Sequence, residues 1–144
     1  GSGPGGQPIL QLIESREVGA HVAYLSFAAK KDRTYRLSVW LKSEGVSAFR
    51  LQLSDTYGAS LIGMNGRFGE GAQLLSQGSS KDASIMEASM QKHPGDWFKV
   101  VLAGRLGSSS TSTLVQIILS RLDGSIPYKG DGRRGLLVSG LKVE

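Results

Sequence analysis

Apolar and polar residues alternate at period two along short segments of this chain, and turn-forming residues separate the segments. The clearest segment runs from Thr34 to Lys42, where one parity holds Tyr35, Leu37, Val39 and Leu41 and the other includes Arg36, Ser38 and Trp40. Because successive side chains of a strand point to opposite faces, this pattern predicts a β-strand with one apolar face. The same alternation from Ala48 to Ser54 predicts a second strand.

The other candidate strands are shorter or more uniformly apolar: Ile9 to Ile13, His21 to Phe27, Leu61 to Met64, Ser84 to Ala88, Trp97 to Leu102, Thr113 to Ser120 and Gly135 to Val143. No segment carries a convincing amphipathic helical stripe, and only Asp82 to Met90 is compatible with a helical turn. Many short strands with turn-rich spacers predict an all-β fold, namely an antiparallel β-sandwich (jelly roll) of two packed sheets.

A compact turn signal, Ser43-Glu44-Gly45, separates the two clearest strands and predicts that they form an antiparallel hairpin. The apolar face of a half-buried sheet covers the core, so the other face would be wet. On this hairpin the outward residues would be Arg36, Trp40, Arg50 and Gln52. Gln116 would join them if its strand belongs to the same sheet.

A length of 144 residues fits one domain. Gly1 to Gly6 resembles a cloning scar or a linker, so we expect the single domain to span residues 7–144. Hydrophobic residues are 40%, charged residues 20% and the mean hydropathy is −0.11, which is typical of an ordered globular protein. No apolar run approaches the about 20 residues of a membrane-spanning helix. The absence of cysteine excludes disulfides and thiolate chemistry.

The net charge of +5, with an isoelectric point near 9.7, favours an acidic partner such as a uronate or sulfated polysaccharide, a nucleic acid or an anionic surface. Solubility alone is the simpler explanation. Basic residues are adjacent only at Lys30-Lys31 and Arg133-Arg134, and this scatter does not favour a nucleic-acid partner.

The residues of this chain give little support for a catalytic function. His21 opens an apolar strand and His93 precedes the turn Pro94-Gly95-Asp96, so both are better explained as structural than as general bases. Carboxylates stand beside glycines or in turns, where Asp caps its own backbone. We therefore predict no enzyme activity and no cofactor. The sequence leaves open whether turn oxygens bind a structural calcium ion, and it does not identify metal ligands.

Aromatic residues carry the remaining chemical signal. The apolar faces of sugars stack on Trp and Tyr rings, and sugar hydroxyls pair with planar polar groups such as those of Arg and Gln. Trp40 with Arg36, Arg50 and Gln52 would offer this combination on one face. Trp97 is better explained as a core residue at the start of a strand, and Trp40 could instead cover a sheet buried on both sides.

Several segments, taken in order, resemble a known family: Gly19 to Val22, Thr34 to Lys42, Gly95 to Val100, Tyr128 to Gly132 and Gly140 to Glu144. They are similar to the jelly-roll, carbohydrate-binding-module-like domains of galactose-binding type in bacterial secreted proteins and phage tail or virion proteins. The most specific piece is Tyr128-x-Gly-Asp-Gly-x-x-Gly135, followed by a strand that ends in Glu144. Where the family often has an aromatic residue in its last strand, this chain has Val138 and Ser139.

The resemblance implies a non-catalytic module that holds a larger secreted protein on a polysaccharide at a bacterial or virion surface. Trp40 would be its stacking platform, Arg36, Arg50 and Gln52 its hydrogen-bond donors, and Tyr57 or Tyr128 its contacts from loops. The charge favours acidic glycans. The alternative is a structural or adhesive domain of a phage tail or cell-surface assembly, for which we expect homo-oligomers and an apolar surface patch.

Overall fold

The computed structural model describes residues 2–13, 18–19, 21–28, 34–55, 60–69, 71, 73–107, 112–120, 128–129 and 132–144. For residues 18–19, 21–25, 27–28, 73, 112, 120 and 128–129 the description covers the backbone alone. Two short 3-10 turns are present at Pro4–Gly6 and Pro94–Asp96. The described strands, in chain order, are β1 (Ile9–Ile13), β2 (Val18–Gly19), β3 (His21–Ala28), β4 (Thr34–Glu44), β5 (Ala48–Asp55), β6 (Leu61–Arg67), β7 (Gln73–Ser79), β8 (Ser84–His93), β9 (Trp97–Arg105), β10 (Ser112–Ser120), β11 (Tyr128–Lys129) and β12 (Gly135–Val143).

Two five-stranded antiparallel sheets form the body of the protein. The first sheet has the order β1-β12-β4-β9-β8 and the second has the order β3-β10-β5-β6-β7, while β2 and β11 pair separately. Early strands pair with late ones in a nested manner: β1 with β12, β3 with β10 and β4 with β9. This nesting winds the chain around its core as in a jelly roll, and the predicted all-β antiparallel sandwich is confirmed.

The core lies between the inner faces of the two sheets, where the alternating pattern places the apolar residues. On β4 and β5 the buried members are Tyr35, Leu37, Val39, Leu41, Phe49, Leu51 and Leu53. On β9 and β10 they are Phe98, Val100, Leu102, Val115, Ile117 and Leu119. Full burial of such a side chain stabilises the fold by about 1.5–3 kcal/mol. Packing of the inner faces therefore holds the strands in place, and the outer faces are left for polar groups.

The predicted hairpin between β4 and β5 is wrong. β4 pairs with β9 and β12 in the first sheet, whereas β5 pairs with β10 and β6 in the second. The connection crosses between the sheets, with Gly45 at a φ of 93° and Val46 only 6% exposed. Alternation shows which face of a strand is buried but not which strand is its neighbour, and β4 and β5 face each other across the core.

Most predicted strands are confirmed, usually with an extra residue or more at one end, but the helical turn proposed for Asp82 to Met90 is wrong. That segment belongs to β8, whose edge position and register shift between Ile85 and Glu87 disturb the period-two pattern. β7 was not predicted because its sequence is mainly small and polar. A short apolar pair, Leu74 and Leu75, is the only strand-like signal in it.

Residues 2–8 fold back against the first sheet. The amide of Gly3 donates to the Gln7 carbonyl at 2.7 Å, and Ser139 Oγ on β12 donates to the Pro8 carbonyl at 3.0 Å. The prediction that Gly1 to Gly6 is a scar or a linker concerns the origin of this segment and stays a prediction. The described part of the chain contains no helix of the length and apolarity that a membrane crossing requires.

Candidate functional site

The fold separates the predicted site residues into two groups on opposite outer faces. Arg36 and Trp40 lie on β4 in the first sheet, and Arg50 and Gln52 lie on β5 in the second. The expectation that all four share one face is wrong, for the same reason that the hairpin is wrong. Tyr57 lies outside the described residues, and of Tyr128 only the backbone is described, as the partner of Gly19 in the β2–β11 ribbon.

The outer face of the second sheet carries a hydrogen-bonded line of side chains that we call the polar row: Arg50, Gln52 and Gln116. Arg50 Nε donates to Gln52 Oε1 at 2.8 Å, and Gln52 Nε2 donates to Gln116 Oε1 at 2.9 Å. Gln52 and Gln116 are direct register partners on β5 and β10, which confirms that Gln116 shares this face. Gln52 accepts from Arg50 and donates to Gln116, so the row has a direction.

Two glycines continue the polar row toward the sheet edge, and we call them the glycine floor. Gln52 pairs in register with Gly63 on β6, which pairs with Gly78 on β7. A Cβ on Gly63 would lie 2.6 Å from Arg50 Nη2, whereas a Cβ on Gly78 would meet nothing within 4 Å. The missing side chains therefore leave room for the Arg50 guanidinium and an open space beside it.

A pair of polar side chains also borders the glycine floor. Asn65, the register partner of Arg50, donates from Nδ2 to Ser76 Oγ at 2.9 Å. At the other end of the row, Tyr24 on β3 is the Cα partner of Gln116. Sequence reasoning missed Asn65 and both glycines because these residues join the row only through strand register. The only signal for the two glycines was the presence of a Gly in each of two neighbouring strands.

No carboxylate among the residues that the structure describes balances the charge of Arg50. Its side chain is half-buried, and within the described residues its one hydrogen bond goes to Gln52. Burial lowers the pKa of Arg50 because a partly dehydrated position disfavours the charged form. Arg36 on the opposite face differs, since its Nε lies 3.4 Å from Glu87 Oε2. Arg36 on the first sheet thus has an ion-pair partner, whereas Arg50 on the second sheet has none within the described residues.

Trp40 lies in a different surface, which we call the Trp40 groove. This groove has a volume of about 450 Å³ and is lined in part by Trp40, Arg36, Ser38, Lys99, Gly140 and Lys142. The Trp40 ring is half-buried, with the His93 ring edge-on at 4.6 Å and Lys99 Nζ at 5.7 Å from its centroid. These neighbours pack against part of the ring, and the role of Trp40 as a stacking platform stays a prediction.

His93 and Trp97 also belong to the outer face of the first sheet. They are register partners on β8 and β9, and Trp97 is half-buried while the next residue, Phe98, is 2% exposed. The expectation that Trp97 packs in the core is therefore wrong. His93 Nε2 is buried and has no hydrogen-bond partner among the described residues, so the ring serves as packing beside Trp40.

No group of three or more His, Cys, Asp or Glu gathers into a metal site within the described ranges. Comparison of the chain with protein-family models and with curated proteins finds no match. The resemblance to galactose-binding-type domains stays a prediction, and the argument for function depends on the geometry of the two outer faces.

Proposed function

We propose that this domain is a non-catalytic carbohydrate-binding module and that the polar row holds its ligand. The observation that carries the proposal is the directed line of hydrogen bonds from Arg50 through Gln52 to Gln116, beside the open glycine floor. Sugar hydroxyls pair with planar guanidinium and amide groups, and a ligand site combines such groups with a recess. A row whose members already hold one another in place loses little side-chain entropy when a sugar binds.

The same geometry supports binding without catalysis. Amide groups do not titrate near neutral pH and a guanidinium stays charged, so the polar row contains neither a general acid nor a general base. His93 packs against Trp40 on the opposite face. The module would keep a larger secreted protein on a polysaccharide at a bacterial or virion surface, and the net charge of +5 favours acidic glycans.

A glycan array with purified domain tests the proposal, because the two faces supply their own controls. Gln52→Ala and Gln116→Ala each break the polar row, and we expect each to weaken glycan binding about tenfold or more, since a buried or bound polar partner left unpaired costs about 1–3 kcal/mol. Trp40→Ala changes the opposite face and should leave binding within about twofold of the wild type. Binding that disappears only in Trp40→Ala would move the site to the Trp40 groove.

A second candidate function, a structural or adhesive domain, is favoured by an apolar groove at the β1 edge of the sandwich. The groove measures about 590 Å³, and its lining includes Leu10, Leu12, Val115, Ile117, Val138 and Leu141. Leu10 is 71% exposed on β1, an edge strand of the first sheet. A second copy of the chain could cover this edge by antiparallel pairing. Light scattering after size-exclusion chromatography distinguishes the candidates: a dimer that Leu10→Glu dissociates supports assembly, and a monomer at micromolar concentration opposes it.

A further inference from the structure

Among the cations that the structure describes, Arg50 combines half-burial and a held position with the lack of any counter-ion in the described ranges. Its Nε is occupied by Gln52 Oε1 at 2.8 Å, which fixes the plane of the guanidinium. Nη1 and Nη2 have no hydrogen-bond acceptor or carboxylate within the described residues. The dehydrated part of this cation disfavours its charged form, solvent at the exposed side offsets this effect only in part, and an anion from outside would offset it further.

The surroundings of Arg50 leave space for such an anion. Nη2 lies above Gly63, where a Cβ would approach it to 2.6 Å, and the neighbouring Gly78 position is open. The guanidinium therefore lies beside an open area of bare backbone at the glycine floor. Adjacent strands are about 4.8 Å apart, so this open area and the polar row together span a distance comparable with one or two sugar rings.

The direction of the polar row specifies what the rest of the ligand should offer. Gln116 Oε1 accepts from Gln52, and Gln116 Nε2 makes no hydrogen bond within the described residues. Within the described part of the chain, the donors that lack an acceptor are thus the guanidinium Nη1 and Nη2 at one end and an amide nitrogen at the other. A ligand that matches them carries an anionic oxygen pair at the Arg50 end and a neutral acceptor oxygen, such as a hydroxyl, at the Gln116 end.

We propose that Arg50 binds the carboxylate of a hexuronic-acid residue, and that a hydroxyl of the same glycan accepts a hydrogen bond from Gln116. This assignment rests on the carbohydrate-binding function proposed above and adds the chemical class of the sugar. A carboxylate is planar and matches the fork of a guanidinium with two parallel hydrogen bonds. The positive net charge of the domain attracts a polyuronate from a distance.

Matched pairs of glycans test the assignment directly. The probes are oligogalacturonate and oligomeric alginate, each beside its carboxyl-reduced neutral counterpart, with a sulfated galactan as a third anion. Calorimetry with the wild-type domain should give tighter binding to a uronate than to its reduced counterpart by about tenfold or more, because a charge-assisted hydrogen bond is roughly twice as strong as a neutral one.

Two arginine variants separate recognition by Arg50 from general charge. Arg50→Gln and Arg36→Gln remove the same charge from opposite faces, so both alter long-range attraction equally. We expect Arg50→Gln to lose the preference for the uronate over its reduced counterpart, and Arg36→Gln to keep it. Arg50→Lys should recover only part of the preference, since an ammonium lacks the planar fork.

The outcomes keep the two proposals distinct. Any of three results would overturn the uronate assignment and leave the carbohydrate-binding function standing. They are equal binding of acidic and reduced glycans, tighter binding of the sulfated galactan than of either uronate, and equal losses of affinity in Arg50→Gln and Arg36→Gln. The absence of binding to all of these probes and to a broad neutral array would overturn both proposals. An unfolded Arg50→Gln is recognised by circular dichroism, and the glycan pairs on the wild-type protein then decide alone.

Discussion

Replacing Gly63 by alanine displaces the Arg50 guanidinium without touching the core. The added Cβ would lie 2.6 Å from Arg50 Nη2 and 3.0 Å from Cζ, about 1 Å closer than van der Waals contact allows. The side chain must move because the strand backbone on either side is fixed by its pairs with β5 and β7. Arg50 is the flexible partner, so the shift should cost little folding free energy.

The expected loss in binding follows from the hydrogen bonds to the displaced group. A hydrogen bond to a charged group is worth about 1.5–3 kcal/mol, which corresponds to roughly 10- to 150-fold in affinity. The free energy of unfolding should rise or stay constant, because Gly within a strand costs about 0.5–1 kcal/mol of stability relative to Ala. Gly63→Ala should therefore bind the uronate glycan at least tenfold more weakly while its urea midpoint is unchanged or higher.

Gly71→Ala is the matched control for this prediction. Gly71 lies outside the glycine floor, and its Cβ would meet nothing within 4 Å. Calorimetric titration measures binding and urea unfolding measures stability for both variants. Equal affinities of Gly63→Ala and Gly71→Ala would refute the reasoning, since they would show that the position of the Arg50 guanidinium does not matter to the ligand.

Two further predictions concern stability. Phe49 is fully buried against Phe68, with ring centroids 5.2 Å apart, so Phe49→Ala should lower the free energy of unfolding by about 3–5 kcal/mol in urea titrations, whereas a loss under 1 kcal/mol would contradict the packing. The hydrogen bond from Ser80 Oγ to Asp82 Oδ1, 2.8 Å long, holds the pKa of the Asp82 carboxyl below its usual range. Its stabilising effect is therefore complete above about pH 4 and is lost as the pH falls through the lowered pKa. The difference in urea midpoint between wild type and Asp82→Asn should accordingly shrink below about pH 4; a difference that is constant from pH 7 to pH 2 would argue against the hydrogen bond.

Strand content was predictable here because burial on one face imposes a period of two. The alternation around Leu37 and Val39 follows directly from their contact with the core, and the same holds for Leu51. Which strands become neighbours is a different problem. β4 pairs with strands that lie far along the chain, and the local sequence of β4 carries no information about them. The short connection at Gly45 has the appearance of a hairpin turn although it crosses between the sheets.

The candidate site was predictable only in part for the same reason. Parity identified Arg50 and Gln52 as outward residues, and it left Gln116 dependent on which sheet β10 joins. Asn65 and Gly63 enter the site through their register with β5, which is a long-range property. Trp40 was assigned by its chemical type, and it lies on the opposite face because β4 belongs to the other sheet.

The antiparallel pairing of β1 with β12 also determines how the domain responds to tension. Ile9, at the start of β1, is the partner of Ser139 in the middle of β12, so the start of β1 and the end of β12 lie on the same side of the sheet. A pull that separates them loads the interstrand hydrogen bonds one after another instead of all together. The first contacts to break would be those of Ser139 with Gln7 and Pro8. The edge strand β1 would then peel from the first sheet at low force, while the strands that enclose the shared core remained folded.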